Sequence, residues 1–149
     1  MKKSDAIIMA LVILLDQALK AYIRSVLPVG ESRDAIGSIM SLTHVENTGA
    51  AFSILSGNAV LLLAITGVCV VIGLAYMIRH KDAHWTMHAA LSLIISGGVS
   101  NMIDRALKGS VTDMFDFHFW PVFNIADIAV CVGCGLLIIY VLFEDKDNG

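Results

Sequence analysis

Four aspartates and an arginine, Asp104, Asp113, Asp116, Asp127 and Arg105, crowd into residues 101–127, between two runs apolar enough to cross a bilayer. A carboxylate beside hydrocarbon is strongly disfavoured unless it is paired, hydrated or protonated, so ionisable residues there are candidates for function. Two carboxylates held close together cannot both ionise easily; they share a proton, and one serves as base while the other serves as acid. Such a pair can activate water against a peptide carbonyl while protonating its oxygen, with no covalent intermediate. Asp113 and Asp127 suit this role, standing 14 residues apart with Trp120-Pro121 between them, far enough for a loop to fold back. Asp127 also has a plainer reading, because Asn124-Ile-Ala-Asp127 has the form of a capping box at a helix start. Asp104, next to Arg105 at a helix end, suits a salt bridge that orients the site, and Asp116 is expected in solvent.

Other chemistries find less support. There is no G-x-S-x-G, no cysteine near a histidine in a polar setting, and no obvious serine partner for His118. His84 and His88 stand at i and i+4 but lack the glutamate of H-E-x-x-H and fall at the opposite end from the aspartates; with Trp85 they read as interfacial anchors. Cys69, Cys131 and Cys134 lie inside apolar runs and read as small hydrophobes, not as metal ligands or a disulfide framework. The alternative to an enzyme is a non-enzymatic proton-conducting or assembly membrane protein, since intramembrane acids serve there too, although no internal repeat is visible.

The elements that must position these residues are membrane helices. Of 149 residues, 57% are hydrophobic and 15% charged, with a net charge of -3 and a mean hydropathy of +0.78. That is far more apolar than a water-soluble core requires, and the scattered basic residues give no footprint for nucleic acid. A span needs roughly 20 helical residues. Four qualify, at about 7–23, 59–78, 83–103 and 125–143, and together they predict an all-α membrane protein forming a single integral membrane domain over 1–149. The basic N-terminus and first apolar run could pass for a signal peptide, but the run meets Asp16 and Lys20 without a small-x-small cleavage site and reads as a retained helix. With an even number of spans, both termini share a side. Basic residues lean five (Lys2, Lys3, Arg79, Lys81, Lys146) to four (Arg24, Arg33, Arg105, Lys108) toward cytoplasmic termini.

Asp16 and Lys20 stand at i and i+4 on one face of the first helix and read as a structural ion pair. The long segment between helices 1 and 2 carries Pro28, Gly30 and Gly37, then a mixture of β-branched and small residues over 38–45 that permits a short strand or hairpin. It ends in Asn47-Thr48-Gly49-Ala50-Ala51-Phe52-Ser53, where small residues allow close backbone approach and Asn47 offers an amide to a substrate or carboxylate. The small residues of Ser96-Gly97-Gly98-Val99-Ser100-Asn101 allow close helix packing, which would bring Asn101, Asp104 and Arg105 against their neighbours.

Four stretches in this order resemble the bacterial lipoprotein signal peptidases, or signal peptidase II: Asp16-Gln17-x-x-Lys20, Asn47-x-Gly49-Ala50-Ala51-Phe52-Ser53, Asn101-x-x-Asp104-Arg105-x-x-x-Gly109-x-Val111-x-Asp113, and Phe123-Asn124-x-Ala126-Asp127. The resemblance implies an aspartic endopeptidase of the bacterial inner membrane, with Asp113 and Asp127 as catalytic aspartates facing the periplasm or outer face. It implies that Asn47, Gly49, Asn101, Asp104, Arg105, Asn124 and Ala126 bind substrate or support the site, and that Asp16 and Lys20 support the structure. It further implies cleavage before a diacylglyceryl-modified cysteine of prolipoproteins, globomycin-like peptides as inhibitors, membrane lipid as surroundings, a monomer, and neither metal nor cofactor. Two positions depart from the family's usual pattern, Ser100 in place of Gly and Met114 in place of Phe. The outer segment is expected to fold over the scissile bond, bringing Asn47 and Phe52 to the substrate.

Overall fold

The computed structural model describes residues 1–49 and 57–144. Its helices are α1 (Lys3–Val26), α2 (Ala59–Arg79), α3 (Trp85–Lys108) and α4 (Ile125–Ile139), the last continued by a π-helical turn (Tyr140–Glu144). Beyond the ends of α1 and α3 lies a three-stranded antiparallel sheet of β1 (Ser32–Ile36), β2 (Met40–Asn47) and β3 (Val111–Asp116), in that order. Four helical segments are long and apolar enough to cross a membrane, the last counted from Ile125 to Phe143. Their side chains are arranged inside out relative to a water-soluble protein. Leu11, Leu14, Val68, Val71 and Ile138 are exposed, whereas Asp16, Lys20, Ser92, Ser96, Ser100 and Asp104 are buried. Hydrocarbon accommodates the first group, and the bundle interior gives Asp16, Lys20, Ser96, Ser100 and Asp104 of the second their partners.

The helix at the centre is α3, against which α1, α2 and α4 all pack. The small residues of its second half allow this: a Cβ built on Gly97 would lie 2.4 Å from the Ala126 carbonyl oxygen, so α4 rests on bare α3 backbone. α3 then stops at Gly109, whose φ of 78° accommodates the left-handed cap closed by its N–H on the Arg105 carbonyl.

α1 runs beyond the apolar stretch at both ends, from Lys3 to Val26, and α3 continues to Lys108. Lys20, Arg24 and Asp104 interrupt the apolar runs, yet they turn toward one another and allow the helices to continue. The strand expected over 38–45 is β2, and its hairpin partner β1 lies ahead of that stretch, at Ser32–Ile36. The stretch read as a loop between the last two helices supplies the third, pairing Val45 with Asp113 and Asn47 with Val111. A bridge between Phe115 and Phe123 folds the intervening chain back, so that α4 starts beside β3.

Two further expectations are corrected. His88 is no interfacial anchor: it is buried, with Nδ1 3.0 Å from Asp5 and Nε2 3.1 Å from the His80 carbonyl oxygen, tying α1 to the α2–α3 turn. Asp116 does not stand alone in solvent, since it accepts hydrogen bonds from Thr43 Oγ1 and from the His118 backbone N–H. Cys69, Cys131 and Cys134 are free thiols with exposed side chains on the apolar helices.

Candidate active site

The site is assembled at the start of α4. Asn124 is the N-cap: its Oδ1 accepts the Asp127 N–H at 2.9 Å, and Asp127 Oδ2 accepts the Asn124 N–H at 3.1 Å. This is the expected capping box, and it has a second effect. With its oxygen held by the helix, Asn124 must turn Nδ2 outward, where it donates to Asp113 Oδ1 at 2.7 Å and to Asn101 Oδ1 at 3.1 Å. The cap thus links Asp113 to Asp127, so one side chain both starts α4 and holds the two acids near each other.

Two more amides complete the set. Gly49 N–H donates to Asn47 Oδ1 at 2.9 Å, which leaves Asn47 Nδ2 to donate to Asp113 Oδ2 at 3.0 Å. Asn101 Nδ2 donates to Asp127 Oδ1 at 2.9 Å. Each of the four carboxylate oxygens therefore accepts one N–H, with its other lone pair left for a proton or a water molecule. Burial, followed by the neighbouring Asp127, pushes Asp113 up to about 7, while the Asn47 and Asn124 amides pull the other way. A carboxyl so placed can change protonation near neutrality.

Behind the aspartates lies a buried charged layer. Lys20 Nζ sits 2.6 Å from Asp16 Oδ2, 3.2 Å from Asp104 Oδ2 and 2.9 Å from Asn101 Oδ1. Asp16 Oδ1 accepts the Ala126 N–H at 2.9 Å, tying α1 to the first turn of α4, and Ser100 Oγ donates to Asp16 Oδ2 at 2.7 Å. The departure at Ser100 therefore adds a link from α3 to α1, while Met114 fills a small core with Ile23 and Leu27. Asp104 and Arg105 diverge: Asp104 faces Lys20 and Arg24, and Arg105 Nη2 donates to the Gly49 carbonyl at 2.7 Å. Among the described residues the Arg105 Nε has no hydrogen-bond partner.

Both aspartates, Asn47, Asn101 and Arg105 face a cavity of about 880 Å³. Its walls are apolar, with Ile65 and Val70 from α2, Ile128 and Val132 from α4, and Ile95 and Gly98 of α3 between them; Trp120 and Pro121 also line it. Asn124, Gly49, Asp104, Ala126, Asp16 and Lys20 support those residues from behind through the contacts above. Ala50, Ala51, Phe52 and Ser53 lie outside the described residues. Among the described residues no cluster of three or more His, Cys, Asp or Glu side chains could hold a metal ion.

Glu46 went unnoticed in the sequence. It accepts hydrogen bonds from Ser110 and Thr112 and pairs with Lys108, which fastens β2, and hence Asn47, to β3 and the end of α3. Burial opposes its charge, but the Ser110, His44 and Thr112 hydrogen bonds and Lys108 outweigh it and hold Glu46 at about 2. A lone glutamate before Asn47 carries no signal until the strand register is known.

A family profile described as signal peptidase (SPase) II matches residues 8–143. The chain belongs to that family. The lipoprotein signal peptidase of Streptococcus pneumoniae is 43% identical over 142 residues, covering 94% of this chain and 93% of the relative. That of Halothermothrix orenii is 40% identical over 140 residues, covering 94% and 96%. A bacterial membrane enzyme solved by the in meso method at 2.3 Å superposes with a TM-score of 0.88 at 34% identity, covering 97% of this chain and 90% of the other. This signal peptidase II family member is a bacterial multi-pass membrane protease.

Proposed function

We propose that the chain removes the signal peptide from diacylglyceryl-modified prolipoproteins, cutting before the lipidated cysteine, with Asp113 and Asp127 sharing a proton to activate water. One observation carries this reading. Two carboxylates, Asp113 buried and Asp127 half-buried, are joined through Asn124 and face a cavity with largely apolar walls, whose helices present hydrocarbon-compatible surfaces. A substrate anchored by an apolar helix and acyl chains can approach between α2 and α4, and the peptide bond then meets the acids where the apolar walls end.

The mechanism follows from the lone-pair accounting. With one proton between them, the ionised aspartate takes a proton from water as it attacks the scissile carbonyl, and the other donates to the carbonyl oxygen. The resulting gem-diol collapses with proton transfer to the amine, which leaves as the new N-terminus of the lipidated cysteine. Arg105 lines the same cavity, held there by the donation of its Nη2 to the Gly49 carbonyl, and sets a positive charge beside the two acids. The active side faces the periplasm or outer face, with the termini in the cytoplasm, and the protein works as a monomer without metal or cofactor. Globomycin-like peptides would compete for the same cavity.

Asp113→Asn and Asp127→Asn, each purified and incubated with a diacylated precursor, test the reading. Both are expected to lose processing while remaining folded. Cleavage by either variant at near wild-type rate would show that other groups carry the chemistry, and absence of cleavage by the purified wild-type protein would favour a non-enzymatic proton-conducting or assembly role.

A further inference from the structure

We infer that Thr112 is a positioning residue: its buried hydroxyl pins the strand that carries Asp113 to β2, to the end of α1 and to the end of α3 at once, and so sets where Asp113 and Asn47 stand against Asp127. The inference rests on the aspartate-pair reading above and names what holds one member of that pair in place.

On β3, Val111 and Asp113 line the cavity, and strand alternation turns Thr112 to the other face, toward α1 and the end of α3, where it is fully buried. A hydroxyl has one proton to donate and two lone pairs with which to accept. Lys108 Nζ donates to Thr112 Oγ1 at 2.6 Å and Arg24 Nη1 donates to it at 3.1 Å, which occupies both lone pairs and leaves the proton for Glu46 Oε1, 2.9 Å away. Every bonding position of the hydroxyl is therefore used, by α3, α1 and β2 in turn. The backbone shows why this matters. Thr112 stands opposite Glu46 in the β2–β3 ladder, yet its N–H is directed at Asp104 Oδ2 at 3.1 Å and its carbonyl receives the Asn124 amide at 3.5 Å, both outside the ladder. At this level the two strands are joined by side chains. It is the level between the pairs Val45–Asp113 and Asn47–Val111, and Asn47 donates to Asp113 across the same two strands. The partners are fixed in their turn, Glu46 by Ser110 and Lys108 and Arg24 by Asp104. Asp127 is seated independently, on α4 by the Asn124 cap, so a shift of β3 would move Asp113 and leave Asp127 behind.

Two substitutions separate the hydroxyl from the shape of the side chain. Thr112→Val keeps the volume and the strand preference but removes the hydroxyl; Thr112→Ser keeps the hydroxyl. With purified protein and a diacylated precursor, Thr112→Val is expected to lose on the order of tenfold or more in kcat, as a displaced reacting group does. Its KM should stay within about threefold of wild type, because the apolar cavity walls are untouched. Thr112→Ser is expected to stay within about threefold of wild type in both quantities. Equal kcat in the two variants overturns the inference, and so does a loss in Thr112→Val that lies in KM alone. Should Thr112→Val fail to melt cooperatively in micelles, Thr112→Ala against Thr112→Ser makes the same comparison. If neither hydroxyl-free variant folds, the hydroxyl serves stability and the positioning role is overturned. Processing by Asp113→Asn or Asp127→Asn would instead defeat the aspartate-pair reading itself, whereas their inactivity alongside equal kcat in Thr112→Val and Thr112→Ser defeats the Thr112 role alone.

Discussion

Asp113→Asn separates the electrostatic cost of the site from its chemistry. The folded protein holds this carboxyl at about 7, against an ordinary 3.8. Below the ordinary value both folded and unfolded chains are protonated, and the residue leaves stability independent of pH. Between the two values the unfolded chain ionises and the folded chain does not, so stability falls by about 1.4 kcal/mol per pH unit. The loss reaches roughly 4 kcal/mol near pH 7 and then levels off. Asparagine cannot ionise and escapes this slope, but it introduces a cost of its own. Both Asp113 oxygens accept amide N–H groups, from Asn47 and Asn124, and an asparagine must turn its own NH2 toward one of them. Such a buried donor clash costs about 1–3 kcal/mol.

The two effects have opposite signs and different pH dependence, so the stability curves should cross. Asp113→Asn should be less stable than wild type near about pH 4 and more stable by roughly 1–3 kcal/mol above about pH 7. Melting both proteins in detergent micelles across that range measures the difference, while processing assays on the same samples should show no turnover by the variant. Parallel melting curves, or a variant less stable at every pH, would refute the claim that Asp113 is held protonated by its surroundings.

Three other substitutions probe the supports. Gly97→Ala should destabilise by about 1–3 kcal/mol through overpacking and slow processing, because the new Cβ would push on the Ala126 carbonyl that seats α4; melting and turnover assays check both effects. Ser100→Gly should cost about 1 kcal/mol by removing a donor to Asp16 and an acceptor for Gln17, with turnover near wild type. Glu46→Gln should lower stability at neutral pH, where the low Glu46 value contributes about 3 kcal/mol, and the difference should vanish as pH falls from 4.5 toward 2; acid titration of both proteins by circular dichroism tests the sign.

The spans and the polar residues of the site were legible in the sequence because bilayer thickness imposes a length and because charge among apolar residues stands out. The third strand was not legible. Val111–Asp116 lies next to a helix cap, and what makes it a strand is a pairing with β2, which begins more than sixty residues earlier, together with the return of Phe123 onto Phe115. The partners of Asp104 and Arg105 were hidden for a related reason. Adjacent residues on a helix point about 100° apart, so one reaches Lys20 and the other reaches Gly49, and sequence adjacency suggested a common role that helical geometry denies. Asn124 shows the opposite case. Its capping motif was plain in the sequence, but the consequence follows only when both ends of its amide are followed: a helix that takes the oxygen for its own backbone leaves the NH2 free to reach Asp113. In this chain, starting α4 and bringing the two acids together are accomplished by the same side chain, so any substitution of Asn124 that preserves the cap but lacks a donor, such as Asn124→Asp, should leave the helix standing and the acids without their shared amide.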